Sequence, residues 1–220
     1  MRSAIIFCGG GAARLEVELP PGAFVVAADS GLAEAIRLGV RVDLLIGDMD
    51  SVAPGDLEAY ERAGGAVQRH PEDKDATDLD LAITAAIVAG AGRLTVVGGD
   101  GGRLDHLLGN ALLLAAPRFA AVEIDGVFGG ARLHVVRRRR DLTGTPGELV
   151  SLFALAGPAR GVGTEGLRWP LEQATLEPGS TLGISNRFLA DRAVVTVDDG
   201  VVLMVRPGAD PVEGSGAERG

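Results

Sequence analysis

The chain has 220 residues, 46% of them hydrophobic, and a formal net charge of −9, which gives it the length and apolar content to bury one large core or two small ones. That negative balance works against nonspecific binding to nucleic acid or anionic lipid. No apolar run reaches the roughly 18 residues that span a bilayer, so the expectation is a cytoplasmic protein with neither nucleic acid nor membrane among its partners. One cysteine and three histidines leave no internal disulfide and no spaced Cys/His set for zinc. Any metal must then be held by oxygen, a donor that suits Mg²⁺ or Mn²⁺.

Taken in chain order, short apolar runs at 4–8, 24–28, 43–46, 66–68, 94–97 and 121–124 read as strands. Cys8, inside the first run, reads as a core residue. Helical stretches fall between the strands at 32–38, 54–63 and about 78–89. The first stops at Gly39, and the second opens on Pro54 and ends before Gly64-Gly65. Before the third, Thr77 with Asp80 three residues on resembles a capping box with Asp in place of Glu. This alternation predicts an α/β domain over residues 1–126 with a mostly parallel sheet. After Gly126 the texture changes to short β-rich segments broken by Gly and Pro. Strands are expected at 148–154, 181–184, 194–197 and 201–205, the last two flanking Asp198-Asp199-Gly200, a hairpin signal. Residues 127–207 are therefore expected to form a small antiparallel β-sandwich domain, and 208–220 a flexible tail. The basic run Arg137-Arg138-Arg139-Arg140 reads as a charged strand edge or as a contact for phosphate or a partner subunit.

Polar clusters fall where these strands end. Asp29-Ser30-Gly31 follows the second, Gly47-Asp48-Met49-Asp50-Ser51 the third, and Gly98-Gly99-Asp100-Gly101-Gly102-Arg103-Leu104-Asp105-His106 the fifth. In open α/β sheets ligands bind at the carboxyl ends of strands, so clusters distant in sequence would meet on one rim. In an extended segment Asp48 and Asp50 would lie about 6.6 Å apart on one face. At an effective dielectric of about 20 they repel by roughly 2.5 kcal/mol, a cost that a divalent cation reverses. The plain alternative is a solvated turn. Between the fourth strand and the long helix, His70-Pro71-Glu72-Asp73-Lys74-Asp75-Ala76-Thr77-Asp78 puts a lysine and a carboxylate beside a helix N-terminus, which itself attracts phosphate. Capping alone explains Thr77 but not Lys74. Glycines around Asp100 let backbone approach a ligand closely, and Arg103 can make forked contacts to phosphate oxygens. His106 reads as a helix-start residue. No P-loop occurs, and Gly9-Gly10-Gly11-Ala12-Ala13-Arg14 lacks the third glycine of a dinucleotide fingerprint.

Together the clusters at Asp29, Gly47, His70 and Gly98, followed by Gly166-Leu167-Arg168-Trp169-Pro170-Leu171 and Gly183-Ile184-Ser185-Asn186, resemble the thiamine pyrophosphokinase family over nearly the whole chain to Pro207. The resemblance implies an α/β nucleotide-binding domain followed by a β-sandwich. It also implies transfer of a pyrophosphoryl group from ATP to thiamine, with Mg²⁺ as cofactor, in a homodimer. By the same resemblance Asp48, Asp50 and Asp78 would hold the metal, and Asp105 would join them at the reacting groups. Asp29, Lys74, Thr77 and Arg103 would contact ATP, while Trp169, Ser185 and Asn186 would contact thiamine. Two positions depart from the family pattern: Ser30, where it has DGG, and Met49, where an aromatic residue is frequent. Met49, between two outward carboxylates, is expected to point into the protein. The rival readings are a pyrophosphokinase acting on another alcohol such as a hydroxymethylpterin, a non-catalytic nucleotide or thiamine sensor, and a nucleotide-sugar transferase using Asp48 and Asp50 for Mn²⁺.

Overall fold

A computed structural model describes residues 1–11, 19–98 and 103–208, and the chain divides into two compact units. The first comprises Met1–Gly129 with Leu133–Val135, the second Gly130–Arg132 and the chain from Val136 onward. The expected tail falls almost wholly outside the described residues, as do Ala12, Ala13, Arg14 and the stretch 99–102 of the glycine-rich cluster.

In the first unit β1 (Arg2–Phe7), β2 (Phe24–Ala28), β3 (Leu44–Gly47), β4 (Ala66–Arg69), β5 (Ala91–Gly98) and β6 (Glu123–Phe128) line up in the order β4-β3-β2-β1-β5-β6. Every pair among them is parallel. The four consecutive residues Ala4, Ile5, Ile6 and Phe7 are all buried. Such unbroken burial marks a strand covered on both faces, where alternation would mark one solvated face. β4, short and largely exposed, closes the edge. Among the described residues four α-helices connect the strands: α1 (Gly31–Arg37), α2 (Pro54–Arg62), α3 (Asp78–Val88) and α4 (Leu104–Leu114). At the start of α3 the Thr77 hydroxyl accepts from the Asp80 N–H at 3.3 Å, the cap read from the sequence. Because the chain runs outward from β1 to β4 and then returns to the other side of β1 for β5, the connections diverge between β1 and β5. That divergence opens a crevice at their carboxyl ends. Gly98, with φ 127, ends β5 so close to β1 that a Cβ there would lie 2.2 Å from the Cys8 carbonyl oxygen, and only glycine fits.

β7 (Ala131–Val136) follows β6, and the division between units passes through it. In the second unit β8 (Arg139–Thr143), β9 (Leu149–Glu165), β10 (Ala174–Leu176), β11 (Asn186–Arg187), β12 (Arg192–Thr196) and β13 (Asp199–Arg206) pair antiparallel. As a whole the thirteen strands of the described residues make a mixed sheet, in which the parallel pattern expected over residues 1–126 is confined to β1 to β6. β9 changes partners along its length. Ser151–Leu155 pairs with β13, and Gly163–Glu165 with β12; between these stretches Ala156 takes a positive φ of 58. The strand thus turns around a core that includes Val150, Leu152, Val162, Phe188, Val195 and Met204. Two expectations are corrected here. Asp198-Asp199-Gly200 does not close a hairpin, because β9 lies between β12 and β13 and the turn instead docks on it, with the Asp198 N–H donating to the Arg160 carbonyl at 3.0 Å. Residues 181–184 form a turn rather than a strand, closed by the Ile184 N–H donating to the Thr181 carbonyl at 3.1 Å. In the basic run, Arg138 donates to the Asp198 carbonyl and Arg139 pairs with Asp141. No helix of the described residues is long and apolar enough to cross a membrane.

Candidate active site

A cavity of about 630 Å³ opens at the carboxyl ends of the parallel strands. Its wall draws on every strand end that the sequence marked: Cys8 to Gly10 after β1, Asp29 and Ser30 after β2, Asp48, Asp50 and Ser51 after β3, Thr77 and Asp78 at the start of α3, and Arg103, Asp105 and His106 entering α4. The size is that of an ordinary small-molecule site.

Three carboxylates converge there. Asp29, Asp48 and Asp78 each bring one oxygen to within 4.8 Å of the others. The close approach depends on Gly47, whose φ is 148 and whose Cβ, if it had one, would meet Asp29 Cβ and Asp78 Cγ at 3.2 Å. Asp29 is buried with φ 47, a conformation that Asp tolerates better than most residues. Asp29 Oδ1 and Asp78 Oδ1 are buried with no hydrogen-bond partner among the described residues. Buried polar atoms ordinarily find a partner, so Asp29 Oδ1 is free to face a ligand, whereas Asp78 Oδ1 lies beside the Lys74 ammonium. Burial pushes the Asp29 carboxyl above its ordinary value, and the charges of Asp78 and Asp50 add to the push against the Ser30 N–H and Ser51 hydroxyl.

Lys74 is tied into the same group. Its Nζ donates to Asp48 Oδ2 at 2.7 Å and lies 3.1 Å from Asp78 Oδ1, off the direction of a hydrogen bond. The bond from Lys74, followed by the Asp50 N–H, holds the Asp48 carboxyl below its usual range. Burial pulls the Lys74 ammonium down, but its two acidic neighbours outweigh it and the net shift is upward. Lys74 is not among the described residues that line the cavity.

The extended Asp48/Asp50 face read from the sequence is corrected. β3 ends at Gly47, and Met49 turns the chain with φ 70. Asp48 faces the carboxylate group while Asp50, exposed, accepts from the Ser51 hydroxyl at 2.7 Å. Met49 is buried among Phe7, Ala27 and Val52. Asp29 stands in the three-carboxylate group in the place that the resemblance implied for Asp50. Its signal was present, since β2 and β3 end in register with Ala28 beside Ile46. Arg103 and Asp105 form a forked ion pair with contacts of 3.2 and 2.6 Å, both side chains exposed. Arg103 holds the Asp105 carboxyl at about 2. Asn110 and Leu113 also line the cavity; sequence reasoning missed them because only the start of α4, at His106, was read. Burial pushes the Cys8 thiol up to about 12, so it serves as wall and not as a nucleophile.

The second unit carries Trp169, Ser185 and Asn186. Trp169 is 53% exposed, and the Arg168 guanidinium covers one face of its ring, 5.0 Å from the centroid. Asn186 is buried, and its amide is spent on backbone. Oδ1 accepts from the N–H groups of Trp169 and Arg187 at 3.1 and 2.8 Å, and Nδ2 donates to the Trp169 carbonyl at 2.7 Å. Asn186 therefore fixes the segment that presents Trp169. Ser185, exposed with φ 58, donates its N–H to the Ser151 hydroxyl at 3.0 Å.

Two family models match the chain: thiamin pyrophosphokinase, catalytic domain, over residues 18–125, and thiamin pyrophosphokinase, vitamin B1 binding domain, over residues 133–202. Thiamine pyrophosphokinase of Bacillus subtilis is 26% identical over 82% of this chain and 86% of its own. Thiamine pyrophosphokinase 1 of Arabidopsis thaliana is 28% identical over 89% of this chain and 75% of its own. Among solved structures, the thiamine pyrophosphokinase of Bacillus subtilis superposes with a TM-score of 0.82 at 24% identity, covering 95% of this chain and all of that one. The thiamin pyrophosphokinase of Geobacillus thermodenitrificans gives 0.78 at 26% identity, covering 96% and 99%.

Proposed function

Since the chain belongs to the thiamin pyrophosphokinase family, we propose that it transfers the pyrophosphoryl group of ATP to the hydroxyl of thiamine, giving thiamine diphosphate and AMP. The observation that carries this reading is the group of Asp29, Asp48 and Asp78 set in one cavity at the strand ends. The match of the second unit to a vitamin B1 binding domain supports thiamine over another alcohol.

The donor set fits a hard divalent cation such as Mg²⁺. All donors are oxygens, and two of them are buried without a hydrogen-bond partner among the described residues. Asp29, Asp48 and Asp78 would hold it, while Asp50 lines the cavity outside that group. When bound, the ion supplies positive charge against the phosphate oxygens. The protein's own groups then have the work of alignment, which dominates phosphoryl-type transfer. Arg103 takes phosphate oxygens in its fork, and Asp105 aims it. With a carboxyl held at about 2, Asp105 is a weak base, so aiming rather than proton removal is its task. The first turn of α3, opened by Thr77, offers free N–H groups to phosphate. The thiamine oxygen bonds to the β-phosphorus as the bond from that phosphorus to the α,β-bridging oxygen breaks. AMP leaves with the electron pair, and the hydroxyl proton is released. Trp169, held by Asn186, offers its uncovered ring face to the cationic ring of thiamine.

We place the reaction in the cytoplasm and take a homodimer as the working unit. The exposed stripe Leu104, Leu108 and Leu112 on α4 offers apolar surface for such a contact. Sedimentation on dilution, followed in parallel with activity, tests the dimer. The central test incubates the protein with ATP and Mg²⁺, with and without thiamine, and resolves the nucleotides chromatographically. AMP formed in step with thiamine diphosphate is the expected result; ADP as product, or no dependence on thiamine, refutes the reading.

A further inference from the structure

Lys74 and a divalent cation would seek the same oxygens. The lysine stands four residues before Asp78, and its ammonium lies 2.7 Å from Asp48 Oδ2 and 3.1 Å from Asp78 Oδ1. Those two side chains are also two of the three that gather within 4.8 Å with Asp29. A small divalent ion binds carboxylate oxygens at about 2.1 Å, which would set it within a few ångströms of the ammonium. Two cations cannot share that space without strong repulsion, and the contact is poorly screened, since Lys74 and Asp48 are each only 14% exposed. A lysine side chain has four rotatable carbons with which to move away.

We infer that Lys74 is a displaceable internal counter-ion: its ammonium neutralises Asp48 and Asp78 until a divalent cation takes its place, and it then moves to the nucleotide phosphates. The inference rests on the metal and nucleotide reading above and deepens it. Displacement is unfavourable while the ammonium has no other anion to meet, and becomes favourable when phosphates arrive. Metal and nucleotide therefore bind as coupled ligands, each raising the other's affinity.

The test follows free Mn²⁺ by electron paramagnetic resonance in titrations of wild type, Lys74→Gln and Lys74→Arg, first without nucleotide and then with a non-hydrolysable ATP analogue. Without nucleotide, Lys74→Gln should bind Mn²⁺ about tenfold more tightly than wild type, equivalent to about 1.4 kcal/mol, while Lys74→Arg stays within about twofold of it. The analogue should tighten Mn²⁺ binding more in wild type than in Lys74→Gln. On wild type itself, Mg²⁺ should turn the Lys74 ammonium protons from slowly to rapidly exchanging in nitrogen NMR spectra, a readout that does not depend on any variant folding. Equal or weaker Mn²⁺ binding by folded Lys74→Gln, or a Lys74 signal unmoved at saturating Mg²⁺, overturns the inference and leaves the metal site standing. No saturable Mn²⁺ binding by any of the three, with or without the analogue, removes the metal site itself.

Discussion

Asp29→Asn should make the metal-free protein more stable while nearly abolishing its activity. Asp29 is buried, its Oδ1 has no hydrogen-bond partner among the described residues, and one of its oxygens lies within 4.8 Å of those of both Asp48 and Asp78. At that distance and an effective dielectric of about 20, each like-charged pair repels by about 3.5 kcal/mol. Lys74 cancels roughly one of the two, and partial exposure of Asp48 and Asp78 screens the remainder. The relief is then about 1 to 2 kcal/mol, or about 2 to 8 °C in melting temperature for a chain of this size. Asn adopts φ 47 as readily as Asp, so the exchange adds no backbone strain. The pH dependence has a definite sign. Folding raises the Asp29 pKa, so the native state holds that proton more tightly than the unfolded chain. The carboxyl costs nothing below its unfolded value of about 3.9 and becomes destabilising as pH rises through the folded value. The advantage of the variant should therefore be full at neutral pH and vanish in acid. Melting in chelator across that pH range, with AMP release measured beside it, supplies the assay, and turnover should fall by about 10²-fold. A variant that melts at or below wild type at neutral pH, or that keeps full turnover, refutes the reasoning.

Asp48→Asn should weaken nucleotide-free Mn²⁺ binding about tenfold, while Asp50→Asn, outside the three-carboxylate group, leaves it within about twofold; the same titration reads both. Arg103→Ala should raise KM for ATP about tenfold with KM for thiamine unchanged in steady-state assays, and with an unaltered melting temperature because its ion pair with Asp105 is exposed. Asn186→Ala removes three hydrogen bonds from a buried site and should cost about 2 to 3 kcal/mol. Its Trp169 fluorescence should also lack the response to thiamine that is expected of wild type, and such a response in a folded variant would count against the positioning role.

The rim was legible because each polar cluster directly follows an apolar run, and parallel neighbours in register carry such clusters to one edge. That is how Asp29, Asp48 and Asp78 meet. What spacing could not reveal was the local turn: a positive φ at Met49 separates Asp48 from Asp50, where two-residue periodicity puts them side by side. Lys74 and Asp78 are four residues apart at the entry to α3, yet the reach of Lys74 to Asp48 crosses 26 positions and leaves no local pattern. α4 was hidden by the glycines before it and by its outward leucines, since Leu114 is the one residue of the helix described as buried. In the second unit, Asp198-Asp199-Gly200 has the composition of a tight turn between two strands. A competing long-range pairing with β9 overrides that local preference.

β9 also bears on how the molecule is made. Each of its strand partners, β10, β11, β12 and β13, lies later in the chain. A ribosome that has released Glu165 still has about forty residues to add before Arg206 completes β13, which takes several seconds at about 5 to 20 residues per second. For that interval a long strand with alternating apolar residues has no mate of its own. Unpaired strand edges are where chains capture one another, so the yield of folded protein should depend on the speed of synthesis through residues 166–206 more than on any other stretch.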